Sequence, residues 1–158
     1  MSERKNTPFN LTIVGLLLAL TLFTESPQMH GGFLMSSLAN KLACHFYHAN
    51  IFHWATNSMA LLLMRPSPKQ IAYSYPIAFA AMFFTDNPTI GFSAMIYAFL
   101  GLNIIRWKVS MIDWATFIIA NILTIFMPKV AFGVHLASFS LGIAAYYIQQ
   151  HLNRWFKN

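Results

Sequence analysis

The side chains that could carry chemistry in this sequence are a serine, several histidines and an asparagine set among apolar residues. Ser93 lies near the start of the stretch GFSAMIYAFLG, and Tyr97 follows it by four residues. His53 precedes Asn57 by the same spacing, and His135 begins the stretch HLASFSLG. Residues four apart share one face of a helix. A serine that attacks an acyl group needs a base within hydrogen-bond reach and donors where negative charge develops. These residues are the candidates for those roles.

The composition of the chain predicts the environment of the helices that must position them. Of the 158 residues, 57% are hydrophobic and only 9% are charged, whereas an ordinary globular domain carries about a quarter charged residues. We therefore predict an all-α membrane protein with a single domain, residues 1–158. The single cysteine, Cys44, excludes an internal disulfide and a cysteine-based metal site. The net charge of +6 comes from dispersed basic residues, which is not the pattern of a nucleic-acid-binding face.

Six apolar runs predict six transmembrane helices. Several runs are shorter than the about 20 residues that span a typical bilayer, so we expect thin, tilted helices around a polar interior. The first run is interpreted as a retained helix instead of a signal peptide, because no small-residue cleavage site follows it. The runs are 11–24, 51–64 (with the helix expected to begin nearer residue 42), 71–85, 91–105, 111–127 and 130–149.

The basic residues predict the orientation of these helices. Placing both termini on the cytoplasmic side leaves only Lys41 and Lys129 outside, which is a strong positive-inside bias. This arrangement gives a basic cytoplasmic tail at 1–8, an outer loop at 25–41 that is a candidate lid, and a cytoplasmic tail at 151–158. The basic residues on the inner side are Arg4, Lys5, Arg65, Lys69, Arg106, Lys108, Arg154 and Lys157.

In this orientation, polar residues of the second, fourth and sixth helices cluster near the outer face. Such residues are costly in hydrocarbon and usually mark a function. Each also has a structural interpretation, since a serine in an apolar helix commonly bonds its own backbone. His30 and His45 are interpreted as interfacial residues and His151 as part of the inner tail. The clustered residues are His48, His53, Asn57, Ser93 and His135.

Three stretches together resemble the rhomboid intramembrane serine proteases. HANIFHWATN, from His48 to Asn57, is similar to the second-helix motif of that family. GFSAMIYAFLG is similar to the G-x-S-x motif, which begins here at Gly91. HLASFSLG is similar to the sixth-helix motif that starts with the catalytic histidine. The motifs occur in the family's order, and the resemblance covers the chain from about Lys41 onward.

The resemblance implies a six-transmembrane-helix rhomboid-like bundle and an intramembrane serine endopeptidase that uses a Ser-His dyad, with no cofactor or metal. Its substrates would be single-span membrane proteins cut near the outer face. The enzyme would be a multi-pass protein of the bacterial inner membrane, in contact with the lipid bilayer and not with nucleic acid. The resemblance assigns the nucleophile to Ser93, the general base to His135, oxyanion donors to His53 and Asn57, and supporting positions to His48, Gly91 and Tyr97, which would pack against His135.

Three positions depart from the family pattern. The Trp-Arg pair usual in the first loop is replaced by Ala39 and Asn40, and the usual glycine three residues after the catalytic histidine is Ser138. Small residues nevertheless predict a close approach of the fourth and sixth helices. These small residues are Ala94, Ala98 and Gly101 on the fourth run, and Ser138 and Gly142 on the sixth.

Other classes of protein remain open on the sequence. A rhomboid-like relative without proteolytic activity would bind transmembrane segments, although such proteins usually lose the serine or the histidine, and both are present here. A metal or haem protein could use several histidines, yet His45 and His48 at a spacing of three, with no carboxylate or cysteine set nearby, are a weak metal signature. A small channel or transporter is disfavoured because no inverted repeat is visible.

Overall fold

The computed structural model describes residues 6–24, 36–84, 89–104 and 132–156, with four further helical residues at 115, 118, 119 and 122. Throughout these ranges the regular structure is helical, as the sequence predicts. The α-helices with defined bounds are α1 (Thr7–Phe23), α2 (Leu38–Ala43), α3 (Ile51–Met64), α4 (Pro68–Ala81), α5 (Ser93–Asn103) and α6 (Phe132–Trp155). Short 3-10 helices follow α2, at Cys44–Phe46, and α4, at Met82–Phe84.

The prediction of six transmembrane helices is wrong. In the described part of the chain, no helix combines the length and the apolar character needed to cross a bilayer. α1 has 17 residues, α3 and α4 have 14 each, and α5 has 11, against the about 20 that a span requires. α6 is long enough with 24 residues, but its last turns carry the polar sequence QQHLNR. Two further predictions are wrong for the same reason. These are the placement of both termini on the cytoplasmic side and the location in the bacterial inner membrane.

Local capping sets the start of α3 and the boundary between α3 and α4. The side chain of Asn50 accepts a hydrogen bond from the backbone N–H of His53 at 2.9 Å and starts α3 there. α3 ends at Met64, and its C-cap Arg65 has a left-handed φ of 48° and is followed by Pro66. Ser67 and Gln70 then form a reciprocal capping box that starts α4. The cap at Asn50 places His53 in the first turn of α3.

α5 is the central helix. All of its residues except Leu102 are buried, and it packs against α3, α4 and α6. The closest approach to α6 is at two glycines, where a Cβ added to Gly142 would lie 3.0 Å from the Cα of Gly101 and 2.5 Å from the carbonyl oxygen of Ala98. The close approach predicted from the small residues is therefore confirmed, because the α5 and α6 backbones meet at a point where both helices carry a glycine, which has no Cβ.

Several of the other predicted segments lie largely outside the described residues. Of the outer loop at 25–41, residues 25–35 lie outside the described residues, while 36–41 enter α2. Most of the fifth run, 111–127, and residues 1–5 also lie outside them. The apolar composition is distributed over the surface as well as the core, since large side chains such as Phe23, Phe52 and Phe84 are exposed.

Candidate active site

Ser93 and His135 lie within hydrogen-bond distance of each other. The distance from Ser93 Oγ to His135 Nε2 is 2.8 Å, which is typical of a hydrogen bond. Ser93 is the first residue of α5, and His135 lies in the first turn of α6. Both are buried, with 8% and 3% of their surface exposed. The close packing of α5 on α6 thus aligns the beginnings of the two helices and places an imidazole on a serine hydroxyl.

The imidazole of His135 is held by an aromatic ring. Tyr97, one turn after Ser93, stacks on it with a centroid separation of 4.3 Å and an interplanar angle of 11°. The other ring nitrogen, His135 Nδ1, has no hydrogen-bond partner among the described residues. Stacking therefore does the orienting that a carboxylate performs in a serine-histidine-aspartate triad.

The environment keeps His135 neutral near pH 7. Burial, and to a smaller extent the nearby His53, lowers the pKa of His135 to about 4. A neutral imidazole can accept the proton of a serine hydroxyl, whereas an imidazolium cannot. The geometry and the protonation state together fit a general base.

His53 and Asn57 converge on Gly91, two residues before Ser93. A Cβ placed on Gly91 would lie 2.5 Å from His53 Cε1, 2.7 Å from His53 Nε2 and 3.6 Å from Asn57 Nδ2. Gly91 also has a φ of 129°, which L side chains rarely adopt. Glycine suits this position, because its backbone conformation strains any L side chain and an added Cβ would displace the His53 ring.

The two candidate donors present N–H groups near this loop. Asn57 is buried, and its Nδ2 has no partner among the described residues. The backbone N–H of Ala49 lies 3.5 Å from His53 Nδ1, and when Nδ1 accepts, the proton of the neutral ring is on Nε2. Burial lowers the pKa of His53. A buried amide without a partner is costly, so Asn57 is a group for which a ligand oxygen would be a favourable partner.

His48 supports the ring of His53. The two imidazoles are in edge-on contact at 5.1 Å between centroids. His48 is buried, and neither of its ring nitrogens has a partner in the described part of the chain. Burial, and then the adjacent His53, lowers the pKa of His48 to about 3. The neutral ring packs behind His53 and limits its movement.

The structure thus brings together all seven residues singled out in the sequence. Ser93, His135 and Tyr97 form one contact group, and His48, His53, Asn57 and Gly91 form a second group beside it. No group of three His, Cys, Asp or Glu side chains with the arrangement of a metal site occurs among the described residues.

Comparison with known proteins does not assign the chain to a family. No family model, no curated protein and no solved structure matches it. The assignment of a function therefore rests on the residues of the site.

One buried residue beside the site was missed from the sequence. His45, interpreted as an interfacial residue, is only 1% exposed and follows Cys44, whose carbonyl oxygen accepts a hydrogen bond from the Gly91 N–H at 2.9 Å. Its ring also lies edge-on to Tyr75, at 5.7 Å between centroids. His45 lies in a 3-10 helix before α3, so its spacing from His48 does not indicate a shared face. No pattern in the sequence pointed to a contact with a loop so far along the chain.

Proposed function

We propose that this protein is a serine peptidase of the rhomboid type, with Ser93 as the nucleophile and His135 as the general base. The observation that carries the proposal is the buried 2.8 Å contact between Ser93 Oγ and His135 Nε2, with Tyr97 stacked on the imidazole. The sequence resemblance in all three motifs supports the same roles. A structural serine would need neither an imidazole on its hydroxyl nor an aromatic ring to hold that imidazole.

The reaction proceeds in two halves. Ser93 Oγ attacks the carbonyl carbon of the scissile peptide bond while its proton passes to His135 Nε2. The tetrahedral intermediate collapses, the C–N bond breaks, and the imidazolium returns its proton to the departing amine. Water, deprotonated by the same imidazole, then attacks the acyl-serine ester and releases the carboxyl product.

The negative charge of the intermediate is stabilised by groups around Gly91. His53 Nε2 and Asn57 Nδ2 are assigned as side-chain donors to the oxyanion. Backbone N–H groups at the start of α5 add to them, because the first N–H groups of a helix have no partner within the helix. Hydrogen bonds to a developing charge are worth more in a buried site than in water.

The substrate class implied by the resemblance, single-span membrane proteins, is part of the proposal. Residence of the enzyme inside a bilayer is not. A helical substrate segment holds its own carbonyl groups in hydrogen bonds, so the cleaved stretch has to unwind before Ser93 reaches it. Residues that weaken a helix near the cleavage point therefore favour cleavage.

The test compares the wild type with two serine variants on a detergent-solubilised single-span substrate. Ser93→Ala removes the nucleophile, so cleavage and labelling by a fluorophosphonate probe should both disappear. Ser138→Ala is the matched control, since Ser138 is also buried and its hydroxyl has no partner among the described residues. We expect this control to retain cleavage. A Ser93→Ala protein that cleaves at the wild-type rate would show that the nucleophile is assigned wrongly.

A second outcome separates a peptidase from a binding protein. If the folded wild type neither cleaves nor reacts with the fluorophosphonate but retains the segment in a pull-down, the chain is a binding-only relative. If cleavage and fluorophosphonate labelling are both lost in Ser93→Ala and both retained in Ser138→Ala, the chain is a peptidase.

A further inference from the structure

The loop that carries Gly91 is fastened to the segment 42–46, which runs from the end of α2 through the following 3-10 helix. The Gly91 N–H donates to the carbonyl oxygen of Cys44 at 2.9 Å. Ser93 begins α5 only two residues later. Because a glycine leaves its flanking peptide planes many orientations, this hydrogen bond restrains the backbone that leads into the nucleophile. The position of the Cys44 carbonyl therefore bears on the position of Ser93.

Tyr75, on α4, contacts the segment 42–46 on both sides of Cys44. Its hydroxyl donates to the carbonyl oxygen of Leu42 at 2.8 Å. Its ring lies edge-on to His45 at an interplanar angle of 79° and stacks on Phe46 at 22°, each with 5.7 Å between centroids. A single side chain of α4 thus contacts the residues that flank the Cys44 carbonyl.

The segment 42–46 depends on support from a longer helix. α2 has six residues and the 3-10 helix has three, and helices this short have little stability of their own. The Cys44 thiol bonds the carbonyl oxygen of Lys41 at 3.2 Å, which is a contact within the same part of the chain. α4, in contrast, has 14 residues and packs against α5. Tyr75 therefore links the segment to the helix pair that includes Ser93.

We propose that Tyr75 is a positioning residue for the nucleophile. It holds the segment 42–46 against α4, so that the Cys44 carbonyl keeps the Gly91 N–H, and with it the start of α5, in place. This role rests on the proposed function of Ser93. Tyr75 acts through two backbone groups, so its loss should slow the reaction and leave substrate affinity nearly unchanged. Small displacements matter here, since a misplacement of about 1 Å can lower a rate by about 100-fold.

Two substitutions at Tyr75 separate the hydroxyl from the ring. Tyr75→Phe removes the hydrogen bond to Leu42 and keeps the ring against His45 and Phe46. Tyr75→Leu removes the ring as well. Tyr73→Phe is the matched control, since it deletes a hydroxyl from the same helix at a residue that is 48% exposed.

Amide hydrogen exchange at Gly91, resolved by NMR, measures the restraint without any assay of activity. We expect Tyr75→Phe to speed exchange of this amide by about two- to tenfold, the range that follows from the loss of one hydrogen bond. Tyr75→Leu should speed it further, and Tyr73→Phe should leave it unchanged. The amide of Ala98, in the buried middle of α5, is the internal reference, because a loss of global stability would speed both amides.

The activity assay measures kcat and KM on the single-span substrate and the rate of fluorophosphonate labelling of Ser93. Both kcat and labelling should fall by about two- to tenfold in Tyr75→Phe and further in Tyr75→Leu, with KM changed little. Unchanged Gly91 exchange in a folded Tyr75→Phe protein would overturn the proposal. Faster exchange with a wild-type kcat, an effect confined to KM, or equal losses in Tyr73→Phe and Tyr75→Phe would overturn it too.

The failure of this role can be told from the failure of the proposed function. If Ser93→Ala retains cleavage, the proposed function has failed, whatever the exchange at Gly91 shows. If Ser93→Ala is inactive while both Tyr75 variants keep the wild-type kcat, only the role of Tyr75 has failed. If the Tyr75 variants do not fold, Phe46→Leu decides, because it removes the stacked ring and keeps the Tyr75 hydroxyl. Faster Gly91 exchange with a lower kcat then supports the proposal, and wild-type values overturn it.

Discussion

Replacing Gly91 by alanine tests the arrangement of the site most directly. The added Cβ would lie 2.5 Å from His53 Cε1 and 2.7 Å from His53 Nε2. Favourable contacts between such atoms lie at about 3.5–4.0 Å, so the imidazole has to retreat by about 1 Å. The ring is the free end of a side chain and can move, which means that the fold survives while the position of the donor is lost.

The expected magnitude has two parts. The strain of a left-handed residue at a φ of 129° costs on the order of 1–3 kcal/mol, which should lower Tm by about 2–4 °C per kcal/mol in a chain of this size. The displaced donor should lower kcat by on the order of 100- to 1000-fold, the usual effect of losing one oxyanion-hole group.

The assay is cleavage of a single-span substrate together with thermal unfolding followed by circular dichroism. Gly15→Ala is the matched control, because nothing lies within 4 Å of a Cβ at Gly15 in α1, and an alanine in a helix is about 0.5–1 kcal/mol more stable than a glycine. The control should keep its activity and gain slightly in Tm. The double variant Gly91→Ala with His53→Ala should lose less than the sum of the single losses, because the ring that met the new Cβ is gone.

The result that would refute this reasoning is a Gly91→Ala protein as active and as stable as Gly15→Ala. Additive losses in the double variant would also count against it, since they would show that residue 91 and the His53 ring act independently.

Three further predictions concern the rest of the site. Asn57→Ala should lower cleavage by about 100- to 1000-fold if Nδ2 binds the oxyanion. Fluorophosphonate labelling of Ser93, measured by mass spectrometry, should be much less affected. Gly142→Ala places a Cβ against the Ala98 carbonyl oxygen, so Tm and cleavage should fall together as α5 and α6 separate. The pKa of His135 is lowered to about 4, so its neutral, base-competent form persists as the pH falls below the ordinary histidine pKa. A pH–rate profile should therefore stay level to about pH 5 and decline as the pH falls through about 4.

The membrane prediction failed because composition measures how much apolar surface a chain has and does not measure where its helices stop. The second apolar run was expected to begin its helix near Leu42. The chain there instead forms the end of α2 and a 3-10 helix, and α3 starts only at Ile51, after the cap made by Asn50. A polar N-cap inside a mainly apolar stretch changes the average hydropathy little but fixes where a helix begins.

The contacts of the site were more predictable, from helix periodicity and from the family resemblance together. The spacing of Ser93 and Tyr97 put both on one face of α5, the resemblance implied that His135 meets them, and both lie against His135. The small residues predicted where α5 and α6 would meet, and Gly101 and Gly142 lie in that contact. The burial of His45 could not be found in this way, because it comes from the packing of a 3-10 helix against Tyr75 and not from a repeating side-chain pattern.

The burial of α5 also sets the moment in synthesis at which Ser93 and His135 can meet. A helix of 11 residues is marginal by itself, since isolated helices shorter than about 12–15 residues rarely persist in water. α6, which supplies both His135 and the Gly142 contact, is the last of these helices to leave the ribosome. A growing chain that has released α5 but not α6 therefore carries Ser93 without His135. Translation order thus delays the formation of the Ser93–His135 pair until α6 has been synthesised.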